Sequence, residues 1–411
     1  MQRICELLKK LVSHNSFYQQ KLKEITCSSL QEFSNRVPFT LKQELADDQR
    51  SHPPYGTNLS EGLTCYTRMS QTSASTGEPL RWLDTPESWN WMLDNWDCVY
   101  DSAGIHSSDR IFFAFSFGLF LGFWTAFDCA VRRGNLCLPG GGMSSAARLR
   151  TIVDNRVSVL CCTPTYAMRL ADVAAEEQVD LSVAGVKSII VAGEPGGSLP
   201  ATRACIEKAW SGARVFDHHG MTEVGPVSFA CPVRSGVLHV MESAYYAEVI
   251  DSTNGHAILP GGTGELVLTT LGRTSSPVLR YRTGDLVKIS DSAVCECGRS
   301  ELALEGGILG RTDDMIQVRG VNIFPSAVEQ IVRACGGVAE YSVAVQAQRA
   351  MTEMSLRIEA DSSCKDAEGM ARRLEGALNQ AFSLRIPVVV VPTGTLPRFE
   401  MKARRWIRSQ M

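Results

Sequence analysis

The fold of this chain is decided around one stretch, which is Gly310-Arg311-Thr312-Asp313-Asp314-Met315-Ile316-Gln317-Val318-Arg319-Gly320-Val321-Asn322-Ile323-Phe324-Pro325. A charged turn is followed by a short apolar strand, a second turn centred on glycine, and a proline that opens a helix. Exposed turn residues can absorb a backbone rotation, so the stretch is typical of a hinge, although an ordinary interdomain linker has a similar composition. We predict a large domain of residues 1–312 and a small domain of residues 313–411.

The bulk composition indicates a globular protein. The chain has 411 residues, of which 44% are hydrophobic and 21% charged, so it is too long for one ordinary core. A net charge of −3 gives no reason to expect nucleic acid or a membrane as a partner. The apolar segment 111–127 is shorter than the roughly 20 residues of a spanning helix, and we interpret it as a buried strand and helix. Fourteen scattered cysteines indicate reduced thiols in the cytoplasm, where we expect a monomer or a homodimer.

Apolar strands alternate with helices in the sequence between residues 110 and 216. Continuous apolar strands of this kind favour parallel sheets that are covered by helices on both faces. After Gly220 the chain is rich in short strands, and beyond residue 313 the predicted order is β-α-β-β-α-β, as in a ferredoxin-like unit. We therefore predict the α/β class, with a large N-terminal domain of parallel sheets and a β-rich part, and a small mobile α+β C-terminal domain.

Residues 70–77 form a loop of small and hydroxylated side chains, Ser-Gln-Thr-Ser-Ala-Ser-Thr-Gly. Backbone amides and hydroxyl groups in such a loop suit a phosphate group. The loop lacks the Gly-Lys-Ser/Thr ending of a Walker A motif, and by itself it could equally be an ordinary polar loop.

A second candidate site, residues 217–223, follows an apolar strand that we predict to be parallel to its neighbours. Ligands bind at the carboxyl ends of strands in open α/β sheets. Glu223 could hold Mg²⁺ there, and Thr222 could bind a phosphate oxygen. The alternative is a solvated turn with two surface histidines, His218 and His219.

Two further segments carry charged side chains that suit a nucleotide. Asp285 follows a glycine and is flanked by arginines, as a carboxylate that binds the hydroxyl groups of a ribose would be, although a salt-bridged turn has the same composition. Lys402 lies near the C-terminus, where a single lysine is most often only solvated.

A metal site is predicted from one histidine and three cysteines. Together they supply three thiolates and one imidazole, the donor set of a closed structural zinc site. The two halves of the set are far apart in sequence, so free buried thiols are the alternative. The four residues are Cys231, His239, Cys295 and Cys297.

Taken in order, these motifs make the chain similar to the adenylate-forming superfamily, and within it to phenylacetate–CoA ligases and related aryl–CoA ligases. The resemblance covers roughly residues 60–405, and related ligases carry similar Cys-x-Cys-Gly-Arg turns. It rests on segments 73–79, 115–120, 163–167, 192–195, 217–223, 281–285, 310–316, 319–322 and 396–398, together with Lys402. The chain differs from its relatives at Glu78, where lysine is common, at His219, where many have tyrosine, and at Met401, where glycine is common.

The resemblance implies an enzyme that uses Mg·ATP to convert a carboxylic acid into an acyl-adenylate. It assigns catalysis to Lys402, Thr222 and Glu223, with Lys402 bridging the acid and the α-phosphate and Glu223 binding magnesium. It assigns the β- and γ-phosphates to the loop of residues 70–77. The implied ATP- and AMP-binding residues are Ser73, Ser75, Thr76, Gly77, Gly193, Glu194, Asp217, His218, His219, Asp285 and Arg311.

The resemblance also implies a second step, in which the small domain rotates about Asp313 and the acyl group passes to coenzyme A. Arg319 and Gly320 would line the channel for the thiol. An aromatic pocket would favour a small aromatic carboxylic acid, with His218 as a polar contact. The implied pocket residues are Phe115, Phe117, Gly118, Phe120, Ala192, His218 and Gly220.

Two alternatives to coenzyme A ligation stay open. The adenylate could pass to a carrier-protein thiol or to an amine, or the chain could be a catalytically silent adenylate-binding module. Retention of Glu223, Asp285 and Lys402 argues against the silent module.

Overall fold

The structure is a computed structural model that describes residues 1–23, 25–72, 78–348, 351–362, 364–400 and 402–409. Its helices are α1 (Gln2–His14), α2 (Ser16–Leu22), α3 (Leu30–Arg36), α4 (Lys42–Ser51), α5 (Pro86–Ser102), α6 (Trp124–Arg132), α7 (Ser145–Asp154), α8 (Pro164–Glu176), α9 (Pro200–Ala209), α10 (Pro325–Cys335) and α11 (Ala367–Phe382). Several begin as the sequence dictates, because Thr85 and Thr163 cap helices whose first residue is proline.

The strands fall into several sheets, described below. They are β1 (Arg68–Gln71), β2 (Arg81–Asp84), β3 (Arg110–Phe113), β4 (Leu136–Pro139), β5 (Val159–Cys162), β6 (Ser188–Ala192), β7 (Arg214–His218), β8 (Gly220–Met221), β9 (Gly225–Pro226), β10 (Ser228–Ala230), β11 (Val237–Val240), β12 (Tyr245–Ile250), β13 (Thr263–Thr270), β14 (Tyr281–Ile289), β15 (Ala303–Arg311), β16 (Ile316–Val318), β17 (Val321–Ile323), β18 (Val338–Gln348), β19 (Met351–Ala360), β20 (Val388–Val390) and β21 (Trp406–Ser409).

A five-stranded parallel sheet, ordered β4-β3-β5-β6-β7, forms the centre of the large domain. Successive residues of its strands pack into two different cores: Ile111 and Phe113 on one side, and Phe112 on the other. The sheet is therefore buried on both faces, as its continuous apolar strands predict. The carboxyl ends of β6 and β7 lie side by side, with Ala192 paired to His218.

The β-rich part is a six-stranded antiparallel sheet, ordered β10-β11-β15-β14-β13-β12. The predicted α/β class is confirmed, but the large domain contains one parallel sheet among the described residues rather than several. Strand β15 is not predicted from the sequence. This strand contains Gly306, Gly307 and Gly310, which weaken its strand pattern, and its pairing with β14 is irregular.

The small domain has a four-stranded sheet, ordered β20-β19-β18-β21, with α10 and α11, and its own apolar core. The predicted β-α-β-β-α-β order of the small domain is confirmed, but one of its strands lies outside the four-stranded sheet. The strand predicted at 316–318 pairs with β17 in a separate hairpin, because Arg319 and Gly320 both have positive φ and form a tight two-residue turn. Strand β21, near the C-terminus, occupies the sheet edge beside β18.

The two domains contact each other through side chains as well as through packing. Ser145 Oγ donates to Glu400 Oε1 at 3.1 Å, and the amide of Ala201 donates to Gln330 Oε1 at 3.2 Å. The boundary at residues 312 and 313 stays a prediction, which the separate core of the small domain supports. In the part of the chain that the structure describes, no helix is long and apolar enough to cross a bilayer.

Candidate active site

The turn that carries Thr222 and Glu223 lies beyond the carboxyl end of β7. Glu223 is buried, and its Oε1 accepts a hydrogen bond from the Tyr281 hydroxyl at 3.2 Å. The ammonium group of Lys42 lies 3.3 Å from the same oxygen. A single buried carboxylate fits Mg²⁺ that arrives with ATP, because this ion takes one or two protein carboxylates and completes its shell with phosphates and water.

A buried ion pair supports this turn, and the sequence analysis missed it. Arg273 binds both carboxylate oxygens of Asp84, at 2.7 and 2.5 Å, and both side chains are fully buried. The same guanidinium group donates to the carbonyl of Thr222 at 2.6 Å. Since Arg273 has its charge compensated by Asp84, it can hold the backbone of the turn in a dry environment.

Asp285 connects the predicted ribose site to the hinge. Its carboxylate accepts from Arg311 Nη1 at 3.1 Å and lies 2.8 Å from His219 Nε2. Arg311 also donates to Asp313 Oδ1 at 2.9 Å. The structure therefore brings the predicted ribose residues together and links them directly to the predicted hinge.

The two histidines after β7 face different surroundings. His218 Nδ1 lies 2.7 Å from the Ser228 carbonyl and donates to it, and burial lowers the pKa of His218 to about 3. The ring is therefore neutral at pH 7, and its Nε2 is a hydrogen-bond acceptor. His219 Nδ1 is buried and has no hydrogen-bond partner among the described residues. Neither residue is the solvated surface histidine of the alternative interpretation.

Asp217 and Glu194, both predicted near adenine, have carboxylates that are already engaged by protein groups. Ser198 Oγ donates to Asp217 Oδ2 at 2.5 Å, and burial raises the pKa of Asp217. Glu194 accepts two backbone amides, at 2.9 Å from Thr165 and at 3.0 Å from Ala403. Contact of the segments around Asp217 and Glu194 with adenine stays a prediction. Because both carboxylates already bind protein groups, we expect backbone atoms of these segments to make that contact.

Lys402 enters the cleft from the small domain. Its Cε lies 3.4 Å from the position that a Cβ atom would take on Gly193, so glycine keeps this approach open. The residue is exposed. Desolvation of its ammonium group nevertheless lowers the pKa of Lys402, and Arg311 acts in the same direction. The nearby carboxylates that oppose this shift are Glu194, Asp285 and Glu223.

Aromatic rings line the region of the predicted acyl pocket. The ring of Phe115 lies 4.0 Å from that of Phe117 and 5.9 Å from that of Phe120, measured between centroids. Phe117 has a φ of +53°, a strained backbone conformation for a bulky residue. Trp96, which the sequence analysis missed, lies 4.3 Å from the His218 ring.

Small residues allow neighbouring groups to approach closely in this region. A Cβ on Gly118 would meet the Phe120 ring at 3.0 Å, and a Cβ on Gly220 would lie 2.8 Å from the Gly225 carbonyl oxygen. The same Cβ would lie 3.3 Å from His218 Nε2, so the acceptor nitrogen faces Gly220. Ala192 packs against the aromatic core. The predicted pocket residues thus lie in one region.

Two predicted groups lie away from this cluster or outside the described residues. The predicted phosphate-binding residues Ser73, Ser75, Thr76 and Gly77 lie outside the described residues. At the start of the predicted loop 70–77, Ser70 and Gln71 belong to strand β1 instead. The predicted channel residues Arg319 and Gly320 lie at the tip of the β16–β17 hairpin, where Arg319 pairs with Glu353.

The predicted zinc ligands lie together. All four ligand atoms are within 4.8 Å of one another. The Sγ atoms of Cys231 and Cys295 are 3.7 Å apart, and Cys297 Sγ is 3.4 Å from His239 Nε2. In tetrahedral zinc sites with these donors, neighbouring ligand atoms lie roughly 3.5–3.8 Å apart. His239 Nδ1 faces the Glu301 carbonyl at 3.5 Å, which is the kind of outer partner that metal-binding histidines use.

Comparison with known proteins is consistent with this geometry. A sequence profile described as AMP-binding enzyme matches residues 23–274, and one described as AMP-binding enzyme C-terminal domain matches residues 320–409. The phenylacetate-coenzyme A ligase of Thermus thermophilus is 31% identical over 79% of this chain and 71% of its own length. That of Pseudomonas putida is 27% identical over 98% of this chain and 92% of its own length.

Among solved structures, 2-hydroxyisobutyryl-CoA ligase in its postadenylation state with 2-HIB-AMP superposes with a TM-score of 0.94. It is 28% identical, and the match covers 99% of this chain and 88% of that one. In its thioesterification state, with 2-HIB-AMP and CoA, the same enzyme superposes with a TM-score of only 0.73, over the same shares of both chains. The domains of this chain are therefore arranged as in the postadenylation state.

The profile match extends over more than half of the chain, and Lys402 of the small domain approaches Gly193 of the large domain. Two relatives, which match 79% and 98% of the chain, are phenylacetate-coenzyme A ligases. The chain belongs to the family of AMP-binding enzymes and is an adenylate-forming acid–thiol ligase.

Proposed function

We propose that this protein activates a small aromatic carboxylic acid as its acyl-adenylate and then transfers the acyl group to coenzyme A. The acid carboxylate attacks the α-phosphorus of ATP, a P–O bond forms, and pyrophosphate leaves. In the second step the thiol attacks the acyl carbon and AMP leaves. The observation that carries the proposal is the position of Lys402, which reaches from the small domain to Gly193 in the large domain. There its charge interacts with those of Glu223, Asp285 and Arg311.

The side chains around the cleft have separate roles in this proposal. Lys402 orients the acid carboxylate and stabilises the negative charge that develops at the α-phosphate. Glu223 would hold Mg²⁺, which neutralises phosphate charge when bound. Thr222, whose backbone Arg273 holds, contacts the α-phosphate. Asp285 binds the ribose hydroxyl groups through the lone pairs that Arg311 and His219 leave available.

We propose an aromatic acid as the substrate because aromatic side chains lie in the region of the predicted acyl pocket. Phe115, Phe117, Phe120 and Trp96 offer ring faces and edges, which attract a flat aryl group more strongly than a thin aliphatic chain.

A second candidate substrate is a small 2-hydroxy acid. His218 Nε2 is a fixed acceptor facing the pocket, and it suits a hydroxyl or amino group on the acid. The relative that matches 99% of this chain is a 2-hydroxyisobutyryl-CoA ligase, which favours this candidate as well.

One panel tests the activity and the substrate together. Benzoate, anthranilate, salicylate, phenylacetate and 2-hydroxyisobutyrate are each incubated with ATP, with and without CoA, and pyrophosphate and thioester are measured. Thioester formed fastest from an aryl acid supports the proposal, and thioester formed fastest from 2-hydroxyisobutyrate supports the second candidate. Pyrophosphate without any CoA thioester would favour a carrier protein or an amine as acceptor. No pyrophosphate from any acid would favour a silent adenylate-binding module.

His218→Ala refines the test. If Nε2 accepts a hydrogen bond from the acid, the variant loses its preference for salicylate and anthranilate over benzoate. Binding sites that pair with a substrate hydroxyl or amino group discriminate strongly against analogues that lack it. An unchanged ranking among the acids would contradict a contact with His218.

A further inference from the structure

Glu194 connects the two domains at the point where the catalytic lysine enters the cleft. It follows β6, and its Oε1 accepts the amide of Thr165 at 2.9 Å, in the first turn of α8. Its Oε2 accepts the amide of Ala403 at 3.0 Å. Thr165 belongs to the large domain, and Ala403 follows Lys402 in the small domain. One carboxylate therefore binds a backbone amide from each domain.

The bond to Thr165 fixes the carboxylate in the large domain. The first amides of a helix have no partner within the helix, and α8 has its Tyr166 amide capped by Thr163. Glu194 satisfies the neighbouring amide, and its negative charge is favourable at a helix N-terminus. The acceptor that faces Ala403 is thus held in place before the small domain arrives.

The bond to Ala403 fixes the catalytic segment. Ala403 is adjacent to Lys402, so holding its amide limits where the lysine backbone can lie. The segment is held on its other side by Arg405, which binds Glu340 at 2.6 Å and lies 3.5 Å from Thr165 Oγ1. Any rotation that carries the small domain away from the cleft must break the bond between Glu194 and Ala403, because its two ends lie on different domains.

We propose that Glu194 is a positioning residue that holds the segment of Lys402 in the adenylate-forming arrangement and releases it when the small domain rotates. The proposal rests on the two-step function above. It gives Glu194 no contact with the substrates, because both of its oxygens bind protein amides. The agreement with the postadenylation structure, and the weaker agreement with the thioesterification structure of the same enzyme, support it.

The test compares Glu194→Ala and Glu194→Gln with Gln330→Ala. Glutamine keeps one acceptor oxygen, whereas alanine removes both. Gln330 makes a hydrogen bond across the same domain interface, but it accepts from the Ala201 amide rather than from residues 402–405, and it is not one of the proposed substrate-binding residues. It therefore controls for general loosening of the interface.

Three quantities are measured for each variant. The first is exchange between ATP and labelled pyrophosphate, using the acid that is most active in the panel. The second is thioester formation from the chemically prepared adenylate of that acid and CoA. The third is hydrogen–deuterium exchange of residues 402–405 in the ligand-free enzyme.

We expect Glu194→Ala to lower the pyrophosphate exchange rate at least about tenfold, since a hydrogen bond to a charged group is lost. Thioester formation should change by less than about threefold, and hydrogen exchange of residues 402–405 should accelerate. Glu194→Gln should be intermediate, and Gln330→Ala should match the unmodified enzyme in all three quantities.

Equal loss of both half-reactions would overturn the proposal, because it would indicate a role in binding the nucleotide that both steps share. Unchanged hydrogen exchange at residues 402–405 would also overturn it. If no acid supports either half-reaction in the unmodified enzyme, the proposed function fails, while the exchange measurement still reports whether Glu194 holds the segment.

Discussion

His219 Nε2 lies 2.8 Å from Asp285 Oδ2, and both side chains are almost completely buried. Asp285 also binds Arg311, so its carboxylate is held on two sides before any nucleotide arrives. We infer that His219 orients Asp285 toward the ribose.

His219→Phe should raise the KM for ATP about tenfold or more, because a hydrogen bond to a charged acceptor contributes roughly 1.5–3 kcal/mol. The preference for ATP over 2′-deoxy-ATP and 3′-deoxy-ATP should decrease at the same time. Steady-state kinetics with the three nucleotides measure both effects. His256→Phe, at an exposed histidine, is the control. An unchanged ribose preference would mean that His219 does not act through Asp285.

The pH dependence of adenylation should report the protonation of Lys402. Desolvation lowers the pKa of Lys402, and Glu194, Asp285 and Glu223 oppose this shift. The ammonium form is present below that pKa, so the adenylation rate should fall as the pH rises through it.

Glu194→Gln removes one opposing carboxylate, so it should lower the pKa of Lys402 further and move this fall to a more acidic pH. Pyrophosphate exchange measured from pH 6 to pH 10 tests the shift, with Glu177→Gln, an exposed position, as the control. A shift toward alkaline pH would contradict the assignment.

Asp313→Pro should uncouple the two half-reactions, because proline locks φ at a position that we propose as the hinge. Adenylation in the arrangement described here should persist, and thioester formation should fall. Asp313→Ala is the matched control, since it removes the pair with Arg311 without restricting the backbone. If the proline variant performs both steps at the rates of the alanine variant, the stretch 310–325 is an ordinary linker.

We predict one equivalent of structural zinc at the cluster of Cys231, His239, Cys295 and Cys297. Protein purified without a tag should contain the metal, and chelation should lower the melting temperature, because metal binding is coupled to folding. Cys297→Ser should reduce the zinc content, whereas Cys98→Ser, at an exposed cysteine, should not. Less than about half an equivalent in the unmodified protein would exclude the site.

Asp84→Asn should destabilise the large domain by about 3–5 kcal/mol, because it leaves the buried charge of Arg273 without its partner. Urea denaturation followed by tryptophan fluorescence measures the free energy of unfolding. Asp47→Asn, in an exposed pair with Arg50, should change it by less than about 1 kcal/mol. A similar small change in both variants would show that the buried pair contributes little.

The local features of the fold could be predicted from the sequence. The apolar runs before Thr163 and Asp217 specify buried parallel strands, and Thr163-Pro164 specifies a helix start, because each depends on neighbouring residues only. The family resemblance could also be recognised from the sequence, since its motifs are short and occur in a particular order. Where the pattern was weak, as in glycine-rich β15, the prediction failed.

Contacts between distant residues could not be predicted in this way. Arg273 and Asp84 are separated by 189 positions, and Trp96 reaches His218 from another element. Each of these residues has many possible partners in the sequence, and only the packing of sheets and helices selects one. The zinc ligands are an exception. Three cysteines and one histidine form a known donor set for zinc, so their proximity could be predicted although they are distant in sequence.

The sequence by itself determined the α/β class, the family and the identity of the charged groups at the cleft. Only the tertiary structure decided what those groups contact. Glu194 turns toward Ala403, and Arg319-Gly320 forms a hairpin tip rather than leading into the main sheet. The physical reason is that side-chain direction depends on how two domains meet, and that arrangement arises from surfaces that are far apart along the chain.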